Sequence, residues 1–213
     1  MSFKKNKYAI IKKAISKELA DFIYKYFLLK RDVAKFYFEN KLISPYEKKF
    51  GYWFDEQIPN TYSHYSDIAM ETLMLECQKI MEKTTELKLY PSYTYARIYK
   101  KGDELKRHKD RFSCEISTTM NLGGDDWPIY LSPNKNIGIP DGKKITAASK
   151  TKGIEVKLKP GDMLVYRGCE LEHWRTKFKG ENCGQVFLHY NNKKTLGAEE
   201  NKFDKRPMLG VII

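Results

Sequence analysis

Three side chains, far apart along the chain, have the types a metal centre needs. His108 and Asp110, in the stretch RHKDRFSCEIS, are two positions apart, and His173 follows 63 positions beyond Asp110. In extended backbone, residues i and i+2 share a face, so His-x-Asp aims an imidazole nitrogen and a carboxylate oxygen at one point. A histidine returned to that point by a later strand completes a set of two nitrogens and one oxygen on one face. That facial set suits Fe(II) and leaves about three coordination positions open for co-substrates. By itself, a His-x-Asp pair also describes many solvated surface groups. The other histidines suggest less chemistry. His189 sits mid-strand in VFLHYNN and reads as a buried residue making ordinary hydrogen bonds. His64 falls at a loop-to-helix junction and reads as a surface residue.

Positioning such a set requires strands, and the chain supplies them in its second half. From Tyr90 to Asn192 it reads as short strands separated by turn residues: SYTYARIYK, CEISTTMNL, WPIYLS, IEVKLK, DMLVYRG, HWRTKF and GQVFLHYN. The breaks between them are KKGDE, GGDD, SPNKNIGIPDGKK, KPGD and FKGENCG, and this punctuation predicts a sandwich or barrel. Before them, YAII (8–11) reads as a short strand. An apolar stripe after Ser16 predicts a helix over about 16–38, with Ser16 as N-cap. A second amphipathic helix is predicted over about 64–86. Residues 39–62 lack a period and form a long aromatic-rich loop, a candidate lid in which Trp53, Phe54 and Tyr62 either touch substrate or pack on the sheet. The expected whole is one domain over 1–213, mainly β with flanking helices (α+β). It comprises a helical support region (1–89), a β-core (90–192) and a C-terminal tail (193–213) whose apolar end docks on the body.

The run Tyr99-Lys-Lys-Gly102, then His108-Lys-Asp110, then Lys159-Pro-Gly-Asp162-Met-Leu-Val-Tyr166, and finally His173, resembles the iron(II)/2-oxoglutarate dioxygenases. Within them it is most similar to the prolyl 4-hydroxylase-like branch, over roughly residues 90–192. The resemblance implies a double-stranded β-helix (jelly-roll) core, with His108, Asp110 and His173 as iron ligands. It implies Fe(II), 2-oxoglutarate and O₂ as cofactor and co-substrates, with ascorbate a candidate auxiliary reductant. No catalytic side chain beyond the metal ligands is implied, and Tyr99 matches the tyrosine whose hydroxyl contacts the keto acid.

One departure from the family pattern stands out. The far carboxylate of 2-oxoglutarate needs a buried cation, best an arginine fork. Family members usually carry a basic residue opening the last core strand. Here that stretch is Asn182-Cys183-Gly184-Gln185. Period-2 alternation offers replacements: Arg97, on one face with Tyr95 and Tyr99, is ranked first and Arg175, two past His173, second. Thr119, Asn121 and Gln185 are expected to assist, and Trp174 is expected to face away and pack. Arg111 is read as reaching substrate or holding Glu115.

Composition bounds the partners. Over 213 residues the formal charge is +12, with 41% hydrophobic and 31% charged residues. The basic residues are diffuse, so nucleic acid is supported by net charge alone. Cys77, Cys114, Cys169 and Cys183 make no CxxC pair, and no apolar run approaches a membrane span or a signal peptide. A reducing, cytoplasmic setting is expected. The leading expectation is a hydroxylase acting on a peptidyl proline or a small molecule. A metal-free jelly-roll module binding an anionic ligand or nucleic acid is the alternative. Demethylation or halogenation on the same iron is a third, halogenation being disfavoured because Asp110 fills the position a halide needs.

Overall fold

The computed structural model describes residues 3–134 and 151–212. The turn-rich break SPNKNIGIPDGKK therefore lies mostly outside the described residues. In chain order the elements are α1 (Phe3–Asn6), β1 (Tyr8–Ile11), α2 (Lys17–Glu39), β2 (Tyr62–Tyr65), α3 (Ile68–Thr85), β3 (Leu89–Lys100), β4 (Leu105–His108), β5 (Ile116–Gly124), β6 (Ile129–Leu131), β7 (Ile154–Val156), β8 (Met163–Tyr166), β9 (His173–Arg175) and β10 (Asn182–Asn192).

Two antiparallel sheets form a jelly-roll-like sandwich. The large sheet has strand order β1-β8-β5-β10-β3-β2 and the small one β4-β9-β6-β7. All seven strands expected in the second half exist. The support region supplies both edges of the large sheet, β1 and β2, besides its helices. Side chains of β3, β5 and β10 alternate between the two faces of the large sheet. Ala96, Ile98, Met120, Leu122, Val186 and Leu188 point outward into the main apolar core beneath α2 and α3. Tyr95, Arg97, Tyr99, Ser117, Thr119, Gln185 and Phe187 point inward, toward the small sheet.

The helices follow from their caps. The Ser16 hydroxyl accepts from Leu19 N at 3.2 Å, and α2 buries Ala20, Ile23, Phe27 and Ala34. Such a cap contributes about 1 kcal/mol. The helix predicted from residue 64 begins instead at Ile68. The Asp67 carboxylate caps it, accepting from Met70 N at 3.1 Å. The residues just before it become β2, paired to β3 with His64 opposite Ala96. His64 is therefore no surface residue. It is 1% exposed, with its ring nitrogens 3.0 and 2.9 Å from the carbonyls of Tyr65 and Lys49. An aromatic strand edge outcompeted an extra helical turn once a sheet was there to receive it.

The tail docks as expected, through polar anchors. Arg206 is buried against Glu71 at 2.6 Å and donates to the carbonyls of Ser92 and Val211 at 3.1 and 2.8 Å. Asp204 accepts from Tyr65 Oη at 2.7 Å and from both Arg111 guanidinium nitrogens at 2.8 and 2.7 Å. Arg111 thus holds the tail, while Glu115 pairs with Arg167.

Candidate metal centre

The small sheet makes the first half of the site. β4 and β9 pair antiparallel with His108 opposite His173, and the imidazole centroids lie 4.2 Å apart. His108 ends its strand rather than starting one. Asp110 lies just past it, its backbone N–H donating to Gly168 O at 2.9 Å. Asp110 Oδ1 is 3.3 Å from His173 Nε2 and 3.6 Å from His108 Nε2. The other oxygen, Oδ2, accepts from Ser117 Oγ at 2.7 Å.

Both imidazoles are oriented by their far nitrogens. His108 Nδ1 lies 2.8 Å from Lys106 O, and His173 Nδ1 lies 3.0 Å from Leu171 O. A carbonyl only accepts, so each Nδ1 carries a proton, and in the neutral form of each ring it is Nε2 that turns a lone pair toward Asp110. Gln57 Nε2, 3.4 Å from His108 Nε2, is the nearest donor to that lone pair.

The charges agree with this arrangement. Burial favours a neutral Asp110, but His173 and then His108 reverse that and hold its carboxyl below the usual carboxylate range. Burial, then the neighbouring His173, depresses His108 to about 4. Burial acts the same way on His173, but the adjacent Asp110 outweighs it and raises this pKa. One anion shared by two imidazoles, with both Nε2 atoms aimed inward, is a donor set that could hold a cation.

A neighbouring group, Asp110, Cys114 and His189, is also compact. It is the poorer donor set. Burial pushes the Cys114 thiol well up, so it stays protonated and hydrogen-bonds Tyr93 Oη at 3.1 Å. His189 Nδ1 contacts Ser117 Oγ at 3.0 Å, the ordinary hydrogen bond expected of it.

In front of the three residues lies a cavity of about 270 Å³, walled by Tyr93, Tyr95, Tyr99, Tyr166 and Phe187. The two arginines expected near it have opposite environments. Arg97 donates to Asp55 Oδ2 and Gln57 Oε1, each at 2.8 Å, and to Ser63 Oγ at 3.2 Å. It is a neutralised ion pair at the cavity mouth. Arg175 is 1% exposed and bonds only neutral acceptors: Trp127 O, and Thr119 Oγ1 and Gln185 Oε1 each at 3.1 Å. Among the described residues no carboxylate pairs with it, and burial lowers its pKa. Among the described residues its Nε and the Tyr99 hydroxyl have no hydrogen bond within ordinary geometry, although Tyr99 lies beside the Arg97 guanidinium.

Other expected residues fall in different places. Thr119 and Gln185 share a 3.0 Å hydrogen bond beside Arg175. Asn121 does not reach the cavity. It donates to Leu158 O at 2.8 Å and its backbone braces the Pro160-Gly161-Asp162 turn, because β5 has by then passed the site. Trp174 faces away and packs, its ring stacked on Tyr130 and covered by Arg107, which also pairs with Glu172. In the loop, Trp53 and Tyr62 pack into the core and Phe54 stacks on Tyr52. The loop residues that line the cavity are Asp55 and Gln57, which no periodicity marked. Gly168 was also missed: any Cβ there would collide with Asp110 Oδ2, Cys114 O and Ser117 Oγ.

No family model matches the sequence, and no curated protein is significantly similar to it. Solved structures do share the fold. A prolyl-4-hydroxylase from Pseudomonas putida is 13% identical with a TM-score of 0.57, over 90% of this chain and 95% of that one. AviO1 from Streptomyces viridochromogenes Tue57 is 13% identical with a TM-score of 0.64, over 92% and 94%. HygX from Streptomyces hygroscopicus, solved with nickel and 2-oxoglutarate bound, is 13% identical with a TM-score of 0.57, over 90% and 85%. The chain has the fold of the iron- and 2-oxoglutarate-dependent oxygenases.

Proposed function

We propose that the protein is an Fe(II)- and 2-oxoglutarate-dependent dioxygenase of the prolyl 4-hydroxylase-like kind, hydroxylating a peptide or small-molecule substrate. The observation that carries the proposal is the convergence of His108 Nε2, His173 Nε2 and Asp110 Oδ1, with both Nδ1 atoms committed to backbone carbonyls. The two nitrogens and one oxygen fit Fe(II) by donor type, and Ser117 and Gly168 hold the carboxylate that completes the set. Bound there, Fe(II) with 2-oxoglutarate and O₂ supplies substrate oxidation coupled to release of succinate and CO₂.

The chain's own residues bind and orient. Tyr99 and Arg175 offer a hydroxyl and a guanidinium nitrogen that make no hydrogen bond among the described residues. A dicarboxylate reaching from the metal toward them would neutralise the buried guanidinium. Gln185, standing where the family carries its basic residue, accepts from Arg175 and Thr119 and so aims the fork. This reverses the order expected for the two arginines, because Arg97 already has its carboxylate. The aromatic walls exclude water and suit an uncharged C–H-bearing group, and Asp55 and Gln57 offer hydrogen bonds at the mouth. HygX has been solved with hygromycin B and a Trichoplax adhaerens prolyl hydroxylase with a peptide, so both substrate classes occur on this fold. The four free cysteines suit a reducing cytoplasm.

The test is anaerobic titration of the purified protein with Fe(II) and then 2-oxoglutarate. A metal-to-ligand charge-transfer absorbance that His173→Ala abolishes, followed by succinate release on admitting O₂, is expected. A protein that takes up neither metal nor 2-oxoglutarate is the metal-free binding module instead.

A further inference from the structure

Helix α2 has two apolar faces, and the fold uses only one. Ala20, Ile23, Phe27 and Ala34 are buried against the large sheet. The second face runs Leu19, Phe22, Tyr26, Leu29, Val33 and Phe36. Its spacing alternates three and four residues, the a/d repeat of a two-stranded helical seam. Phe22 is 69% exposed, Leu29 65% and Phe36 57%, with Leu19 and Val33 also open to solvent. Among the described residues nothing closes over these five side chains, while Tyr26, midway along, is partly buried against the core with its hydroxyl donating to Asp67 at 2.7 Å and Lys30 over its ring. Scattered exposed apolar side chains are ordinary, but a continuous stripe about 25 Å long on one helix marks a contact surface.

We propose that this stripe joins two copies of the chain, α2 packing antiparallel on α2 about a two-fold axis. Two features choose a second copy run in that sense. The first is size. Antiparallel pairing sets Leu19 against Phe36 of the second copy, Phe22 against Val33, and Tyr26 against Leu29. Every layer then joins one aromatic ring to one aliphatic side chain. Parallel pairing would set Phe22 on Phe22, Tyr26 on Tyr26 and Phe36 on Phe36.

The second is charge. In the antiparallel seam Lys25 faces Asp32 of the second copy, and the two-fold axis makes this pair twice. In a parallel seam Lys25 would face Lys30. The like pair of Glu18 and Glu39 falls at the seam's ends, where solvent screens it. Acidic and basic side chains are nearly balanced along α2, which removes the basic excess a helix lying on an anionic membrane needs. The interface is isologous and closes at two copies. It is independent of the proposed oxygenase chemistry.

The experiment is sedimentation equilibrium of the full chain. Wild type is expected at twice the 25.1 kDa chain mass. Phe22→Glu, at an exposed position that leaves the circular dichroism unchanged, is expected to weaken association about 100-fold. Lys25→Asp and Asp32→Lys alone should each weaken it about tenfold, through two like-charge pairs. An equimolar mixture of those two variants should restore the dimer, because opposite charges again face across the seam. A wild-type chain that sediments at 25.1 kDa up to its solubility limit overturns the proposal. So does a dimer unaffected by Phe22→Glu, or a mixture that stays monomeric. A monomer that binds phosphatidylserine vesicles through Phe22 would assign the stripe to a membrane instead.

Discussion

Two arginines beside the cavity, Arg97 in its lining and Arg175 behind that lining, are in opposite states. At the mouth, Arg97 is matched by Asp55 and by hydrogen bonds to Gln57 and Ser63. At what serves as the floor, behind the lining residues Tyr99 and Tyr166, Arg175 is more deeply buried and has only neutral hydrogen-bond partners. A matched buried pair holds a loop to a sheet. An unmatched buried cation is costly unless something anionic arrives. The contrast separates a side chain with a counter-ion inside the fold from one that, under the proposed function, would find its counter-ion in a ligand, although both face inward and both lie two residues from another inward-facing residue.

The sharpest way to break this comparison is at the floor. Arg175→Met should weaken 2-oxoglutarate binding about 100-fold, since a charge-assisted fork is lost. It should leave the unliganded protein as stable or more so, because an unpaired buried charge goes with it. Calorimetric titration and a thermal melt read the two effects separately. Adding Gln185→Lys to that variant should recover part of the affinity by returning a cation to the strand where the family usually carries one. Unchanged affinity in Arg175→Met would remove the floor from the argument altogether.

Gly168→Ala sharpens the contrast from the metal side. The added methyl collides with Asp110 Oδ2 and with the Ser117 hydroxyl that steadies it. Fe(II) affinity should drop about 10- to 100-fold, the range seen when outer-shell support is disturbed. Circular dichroism should remain close to wild type, and metal-dependent fluorescence quenching would record the loss.

At the mouth the expectation inverts. Arg97→Met strands the Asp55 carboxylate, which is partly solvated, and should cost about 2 kcal/mol of stability in urea unfolding. The 2-oxoglutarate affinity should change by less than about tenfold, well below the loss expected of the floor variant. If both arginine variants lost affinity equally, the mouth and floor would not be distinct.

The smallest effect concerns the tail. Burial pushes Asp204 up, but hydrogen bonds from Arg111, Tyr65 and Ser113 win and bring its pKa to about 2. Its folded pKa lies below the unfolded value, so its stabilisation is complete above the unfolded pKa and is lost as pH falls from about 4 through about 2. After allowance for solvent screening this is worth about 1 kcal/mol. Amide exchange in β2 and the tail should accelerate over that interval in wild type. Asp204→Asn should show the faster exchange already at neutral pH.

Much of this arrangement was legible as pattern. The Ser16 cap and the stripe behind it predicted α2, and turn residues bounded seven of the eight described strands of the second half, all but β4. Alternation placed Tyr95, Arg97, Tyr99, Thr119 and Gln185 on inward faces. Those signals are local: a cap, a period and a turn each depend on neighbours in the chain. What alternation could not say was which inward arginine has a carboxylate beside it. Asp55 and Gln57 come from a loop without period, 42 and 40 positions before the Arg97 they bind. Nor could it show that His64 joins a strand, since that strand exists only through β3.

The sequence by itself determined the residue types and spacing of His108, Asp110 and His173, the alternating faces that carry them, and the absence of a basic residue opening β10. Tertiary structure alone decided that β4 lies beside β9 with the two histidines in register, that Gly168 leaves room for the Asp110 carboxylate, and that Arg175 is left without a counter-ion. The reason is that periodicity records which way a side chain points relative to its own strand. Charge balance and ligand geometry depend on which distant segment is packed opposite.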